Sequence, residues 1–276
     1  MMEYRVSVVI RTRDVERHLR RLLWTLSRQT LFPSELVVVD NYSSKDKLDD
    51  VVRLLSSAKE MFFNNQADVR LITIVDEEFS HAYSTNLGVF AASCDFVCIT
   101  NGHSLPTSEK WLESGMAQLK ALKVAGVAGY STPHKDGTIW EKLAFKWGWK
   151  RINEYSRFYV RDDFFSTVNC ILRKSFWREY PFDEKLLDMV PSTKRFGGED
   201  YDWAMEMLAR GYQIVVEPRF DVYHSHGETL PQLVSKYLVW RGIKKQVKSF
   251  KRPRKSFTKL EGMTTKTAEK MKGMFI

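Results

Sequence analysis

The 276 residues hold no Gly-x-Gly-x-x-Gly and no Walker loop, which removes the best evidence for a dinucleotide-binding or P-loop protein. Cysteine is scarce. Cys94, Cys98 and Cys170 are odd in number, lie in apolar segments and have neither disulfide nor zinc spacing, so reduced, buried thiols of a cytoplasmic protein are expected. No apolar run approaches the length that spans a bilayer, and no internal repeat is present. The first strand signal starts at Val6, leaving no room for a signal peptide. A composition of 43% hydrophobic and 28% charged residues excludes wholesale disorder, and the length suits one large domain or two small ones.

A broad basic surface is also missing, despite a net charge of +9. From Lys236 onward there are 13 Lys or Arg against two acidic residues, a net of +11. The preceding 235 residues carry 30 basic and 32 acidic side chains, a net of −2. All of the excess sits in the tail, which argues against a nucleic-acid-binding body. Within that tail Tyr237, Trp240, Ile243, Val247 and Phe250 recur at steps of three and four, interleaved with Arg241, Lys244, Lys245, Lys248, Lys251 and Arg252 until Pro253. The expected division is therefore a domain over 1–235 and a basic amphipathic C-terminal tail over 236–276. Such a helix lies on an anionic membrane surface or packs its apolar stripe on the body. Beyond Pro253 poor order is expected.

Through the first half, strand and helix signals alternate, predicting an α/β protein with a doubly wound, mostly parallel sheet. Strands are predicted near Val6–Ile10, 36–39, 69–75 and 96–99. Between them run helices capped by Asp14 (with Val15, Leu19, Leu22, Leu23 and Leu26), by Ser44 and by Ser80. Ligands in such sheets bind outside the carboxyl ends of the strands, which carry Arg11-Thr12, Asp40-Asn41 and Asn101-Gly102-His103. Less regular elements follow: a helix over 111–122, a small-residue strand over 124–130, an aromatic-rich segment from Trp140 to Tyr159, and a strand over 164–172.

The densest signal is Gly197-Gly198-Glu199-Asp200, with His224-Ser225-His226 after one intervening strand. Two glycines permit a sharp turn into a helix, whose N-terminal dipole is expected to hold Glu199 and Asp200 ionised. Short strands over 212–216 and 220–223 then deliver the imidazoles to the crevice. Carboxylate pairs also cap helices, so spacing alone leaves the role open.

With these residues laid out, the chain resembles the inverting family 2 glycosyltransferases, which have a GT-A fold, from about Val6 to Gly242. The resemblance rests on Val6 to Arg13, Ser27-Arg28-Gln29-Thr30, Val37 to Ser44, Asn86-Leu87-Gly88 and Glu199-Asp200 in family order. It is closest to rhamnosyltransferase-like bacterial members, through Asn101 to Pro106, Trp111-Leu112, Asn169, Phe182-Asp183-Glu184 and Tyr223 to His226. Gly129 to Pro133 departs from that group's Tyr-Gly-Arg-Gln-x-Pro. The resemblance implies that Asp200 is the general base; Glu199 either does that work instead or positions an acceptor hydroxyl or the helix start. It implies that Asp40 receives the base's ring N–H, with Arg11, Thr12 and Asn41 beside the nucleotide. Asn101 takes the first Asp-x-Asp position, and Asn86 either meets the nucleotide or caps backbone. His103 stands where the family has its metal-binding carboxylate. A metal held by His103 with His224 or His226 would be Mn2+ rather than Mg2+; the alternative is a metal-free site where a protonated imidazole meets phosphate.

The expected partners are a dTDP- or UDP-linked sugar, a glycan or lipid-linked acceptor of cell-surface polysaccharide, and an anionic membrane surface at the cytoplasmic inner face. No nucleic acid is expected. Three rivals remain: a non-catalytic relative that binds glycans or partners; a sugar nucleotidyltransferase, for which Arg11-Thr12-Arg13-Asp14 lacks the required glycines; and an RNA- or DNA-binding protein, which rests on the tail alone.

Overall fold

Strand β1 (Val6–Thr12) is buried along its whole length, because Val6, Val8 and Ile10 feed the core on one face and Val9 the core on the other, as in a two-sided sheet. A computed structural model describes residues 5–14, 17–150, 158–160, 165–261 and 274–276. The remaining strands are β2 (Glu35–Asn41), β3 (Asp68–Ile74), β4 (Phe96–Asn101), β5 (Leu105–Pro106), β6 (Val124–Ala128), β7 (Ser131–Thr132), β8 (Phe158–Val160), β9 (Asn169–Arg173), β10 (Gln213–Val216), β11 (Val222–Tyr223) and β12 (Met274–Phe275). The helices are α1 (Leu19–Ser27), α2 (Lys45–Met61), α3 (His81–Ala91), α4 (Trp111–Gln118), α5 (Ile139–Lys150), α6 (Lys174–Glu179), α7 (Leu186–Met189), α8 (Thr193–Phe196), α9 (Glu199–Ala209) and α10 (Leu230–Lys248).

Among the described residues nine strands form one sheet in the order β12-β3-β2-β1-β4-β9-β6-β10-β8. Strands β3, β2, β1 and β4 are mutually parallel, as the alternating signals predict. Alternate residues of each strand feed two cores. Val9, Val37, Val39 and Ile99 pack with Leu87 of α3 and Trp203 of α9, whereas Val8, Ile10, Leu36 and Val38 pack with α1, α2 and α4. Strand β9 was expected to begin near 164; it runs over 169–173 and inserts antiparallel between β4 and β6.

A second sheet, β5-β11-β7, stands at the carboxyl edge of the first. Strand β11 pairs antiparallel with β5 (Tyr223 opposite Leu105) and parallel with β7. This register brings the residue after β11 beside the residue before β5. Asn169 secures the arrangement: its Nδ2 donates to the carbonyls of Phe220 (2.7 Å) and Tyr130 (3.2 Å), and its Oδ1 accepts from Trp111 Nε1. At Gly129 the chains approach so closely that a Cβ would lie 1.4 Å from the Phe220 carbonyl oxygen.

Two expectations about helices change. Asp14 has φ 57°, and Ser43 Oγ accepts from its N–H, so α1 starts only at Leu19; Val15 lies outside the described residues. The tail helix begins at Leu230, where Thr229 and Gln232 form a capping box, so positions 235 and 236 lie inside α10. Ile243 and Val247 are buried against Leu186, Val190 and Tyr201. The expectation of poor order after Pro253 is overturned for 254–261. Arg252 donates to Asp202 Oδ1 (2.7 Å) and Glu206 Oε2 (2.9 Å), and Arg254 to Asp202 Oδ1 (2.9 Å) and Asp183 Oδ2 (2.9 Å). Asp202 and Glu206 are fully buried, so these guanidiniums strap the chain end onto α9. The tail beyond residue 261, apart from 274–276, lies outside the described residues.

Candidate active site

Helix α9 can start where it does because Gly197 and Gly198 adopt φ 73° and 132°, conformations closed to other residues without strain. The turn sets Glu199 and Asp200 against the carboxyl ends of β1 and β4. Arg11, the penultimate residue of β1, ties the pieces together. It donates to Thr85 Oγ1 (2.9 Å), Asn101 Oδ1 (3.1 Å) and Thr167 Oγ1 (3.0 Å), and its Nη1 stands 3.9 Å from Glu199 Oε1. Asp200 accepts from the Thr167 N–H (3.2 Å) and the Tyr201 N–H (2.7 Å) and keeps 7% of its surface open.

Both carboxyls titrate higher than the dipole of a helix start would lead one to expect. Burial, then the neighbouring Glu199, pushes Asp200 up to about 6; burial also raises Glu199, against the pull of Arg11. Desolvation of two adjacent acids outweighs the helix dipole. Beside them His81 is pushed down to about 4 by burial and by Arg11, so its imidazole is neutral. A cavity of about 580 Å³ opens here, lined in part by Tyr42, Phe79, His81 and Glu199.

The three imidazoles named from sequence converge. Ligand nitrogens of His103, His224 and His226 lie within 4.8 Å of one another, with His224 Nε2 and His226 Nε2 3.1 Å apart. Burial and the mutual proximity of the rings lower the pKa of both His224 and His226, which keeps them neutral and able to donate lone pairs. Three imidazole nitrogens converging on one point fit a cation that accepts such ligands, such as Mn2+, better than oxygen-seeking Mg2+. A supporting shell is present. Ser104 Oγ lies 3.0 Å from His224 Nδ1, and His134 Nε2 lies 3.0 Å from the His103 carbonyl. Glu141, from the first turn of α5, accepts from three successive N–H groups, of His226, Gly227 and Glu228 (2.9, 3.0 and 3.2 Å). Burial alone would raise Glu141, but those N–H groups and Thr138 hold its carboxyl below the ordinary value.

The nucleotide candidates divide. Thr12 is buried beside Arg11 at the strand end. Asp40 accepts from both the N–H and the Oγ of Ser43, and burial raises its carboxyl; Asn41 Oδ1 accepts from Ser84 Oγ (2.6 Å). Asn86 is corrected. It is fully buried, donates to the Phe182 carbonyl and Glu184, and accepts from Trp177 Nε1 and the Phe182 N–H, all within 2.8–3.0 Å. That full complement makes it a bracket between α3 and the segment before α7, with no capacity left for a nucleotide. Asn86→Ala is expected to lower the melting temperature by several degrees while the nucleotide Kd stays within about twofold, checked by calorimetry and titration. Thr85, Thr167, His134 and Glu141 carry no motif that would have singled them out; only their positions in space give them a role.

Comparison with known proteins bears on the fold and the family. Residues 7–180 match the family described as Glycosyl transferase family 2. The chain is 22% identical over 240 residues to the O-antigen chain rhamnosyltransferase RfbN of Salmonella typhimurium, covering 84% of this chain and 70% of that protein. Among solved structures it is similar to the mannosyltransferase PcManGT from Pyrobaculum calidifontis in complex with GDP-Man and Mn2+. That match has a TM-score of 0.63 at 17% identity and covers 90% of this chain but 66% of that one. It is also similar to S. aureus TarS 1–349 in complex with UDP-GlcNAc, with TM-score 0.55, 15% identity and coverage of 97% and 70%. These likenesses bear out the GT-A type of α/β fold, and with the family match over more than half its length the chain belongs to glycosyl transferase family 2.

Proposed function

We propose that the protein is an inverting glycosyltransferase that moves a sugar, rhamnose or another hexose, from a dTDP- or UDP-linked donor to a glycan or lipid-linked acceptor of a cell-surface polysaccharide. The observation that carries this reading is the junction at Arg11, which joins the nucleotide-side residue Asn101 to the Glu199–Asp200 pair within one hydrogen-bonded cluster. In a single displacement at the anomeric carbon, Asp200 takes the proton from the acceptor hydroxyl as that oxygen attacks, and the sugar–phosphate bond breaks on the opposite face. A carboxyl titrating near 6 is ionised at neutral pH yet basic enough to accept the proton. Glu199 balances Arg11 and orients the helix start. Arg11, Thr12, Asp40, Asn41 and Asn101 hold the donor. His103, His224 and His226 would hold a divalent cation, whose charge would stabilise the departing diphosphate. No helix among the described residues is long and apolar enough to cross a membrane; peripheral attachment at the cytoplasmic face is proposed.

Thermal-shift titration tests the donor and metal assignments together. Thymidine or uridine diphosphate with Mn2+ is expected to stabilise by about 2.7 kcal/mol at a hundredfold excess over Kd, and a chelator or His224→Ala should remove most of that gain. Stabilisation by the diphosphate that survives both treatments would refute the three-imidazole site. Absence of any diphosphate effect would refute the donor reading.

A further inference from the structure

Helix α5 is inside out. Its buried side presents Glu141, which pins the loop after His226, while Ile139, Trp140, Leu143 and Trp147 lie on the solvent side with 65%, 42%, 51% and 66% exposure. At 100° per residue these four span about 100° of the helix, bordered along one edge by the exposed Lys142 and Lys146. Helix α10 packs against α5 and repeats the arrangement. Leu230, Val234, Tyr237 and Leu238 form an exposed stripe over its first turns, and the same stripe continues as Arg241, Lys245 and Lys248. Clustered large apolar side chains on one surface mark a binding face rather than ordinary scatter.

We infer that α5 and the first half of α10 together form a docking face for an anionic lipid surface, holding the mouth of the site against the bilayer where an amphiphilic acceptor is presented. This deepens the reading proposed above and rests on it for the acceptor. Charge selects the occupant: five exposed cations border an apolar, Trp- and Tyr-bearing patch, the composition that binds anionic headgroups while inserting rings at the interface. Proximity to the site is set by the chain itself. Three residues separate His226 from Leu230, and Thr138, just before α5, donates to the Glu228 carbonyl (2.7 Å). The membrane contact thus differs from that expected of a detached basic tail, because Ile243 and Val247 are already buried on the body.

The test is flotation of the full chain with phosphatidylglycerol-containing vesicles and with pure phosphatidylcholine. Binding to the anionic vesicles alone is expected. Trp140→Gln, Leu143→Gln, Val234→Gln and Leu238→Gln combined should weaken it at least about tenfold without changing the melting temperature. Lys245→Gln with Lys248→Gln should weaken it less and reduce its salt sensitivity. Brominated phosphatidylglycerol should quench tryptophan fluorescence. Unchanged flotation of the Gln variant, or a concentration-dependent dimer without lipid that the same substitutions dissolve, would overturn the inference. Donor turnover on a soluble glycan fragment separates the two readings, since the Gln variant should retain it. If even the unaltered protein shows none, the glycosyltransferase reading fails while flotation still judges the face.

Discussion

Asp200→Asn is expected to reduce sugar transfer by about 10²–10⁴-fold while leaving a folded protein. The amide keeps the shape but cannot take the acceptor proton. Two effects on stability oppose each other. Losing a buried ionised carboxyl relieves a penalty of about 3 kcal/mol, from a value near 6 against an ordinary one near 4. Against that, Asp200 accepts from two backbone N–H groups on its two oxygens, and an amide can serve only one, which costs about 1–3 kcal/mol. The melting temperature at pH 8 should therefore move by only a few degrees. The sign with pH is definite. Between about pH 4 and 6 the folded chain keeps a proton that the unfolded chain has released, so this group's contribution falls as pH rises through that window. The asparagine variant should lack that fall, and wild-type kcat/KM should climb to a plateau through the same region. Transfer within threefold of wild type by the variant, measured with saturating donor, would end the assignment.

Arg252→Met is expected to destabilise the protein by about 3–5 kcal/mol, the usual cost of stranding one side of a buried ion pair. Asp202 would lose its 2.7 Å partner and Glu206 its 2.9 Å partner, both in full burial. Arg254 still reaches Asp202 and Arg210 still reaches Glu206, which favours the lower end. For a chain of this size the melting temperature should drop by about 10 °C, readable by calorimetry. Because Asp202 lies two residues after Asp200 on α9, loss of the strap should also lower kcat more than it raises the donor KM. A chain ended after Ser249 that melts like wild type would restore the picture of a detached tail.

Much of the sheet was legible because its strands are continuous apolar runs and its helix starts carry Ser44 and Ser80. Ser80 Oγ indeed accepts from the Tyr83 N–H. The antiparallel insertion of β9 was not legible, since a buried strand reads the same in either direction. Glu199, Asp200 and the three histidines were named as candidates, but the meeting of His103 with His224 and His226 depends on the pairing of β5 with β11, which neither segment announces alone. Arg252 and Arg254 looked like part of a solvated basic run because their acidic partners lie about 50 residues earlier. Asn86 stays open in the sequence between a nucleotide contact and a backbone cap for the opposite reason: its burial, which favours the cap, leaves no trace in spacing.

The contact at Gly129 has a practical corollary for changing sugar preference. A methyl group there would force the backbone near Phe220 to shift, and with it the short strand that ends beside His224. Chimaeras that exchange the 129–134 loop with a relative's should therefore transplant 217–226 in the same step, since either piece alone would arrive without its matching half.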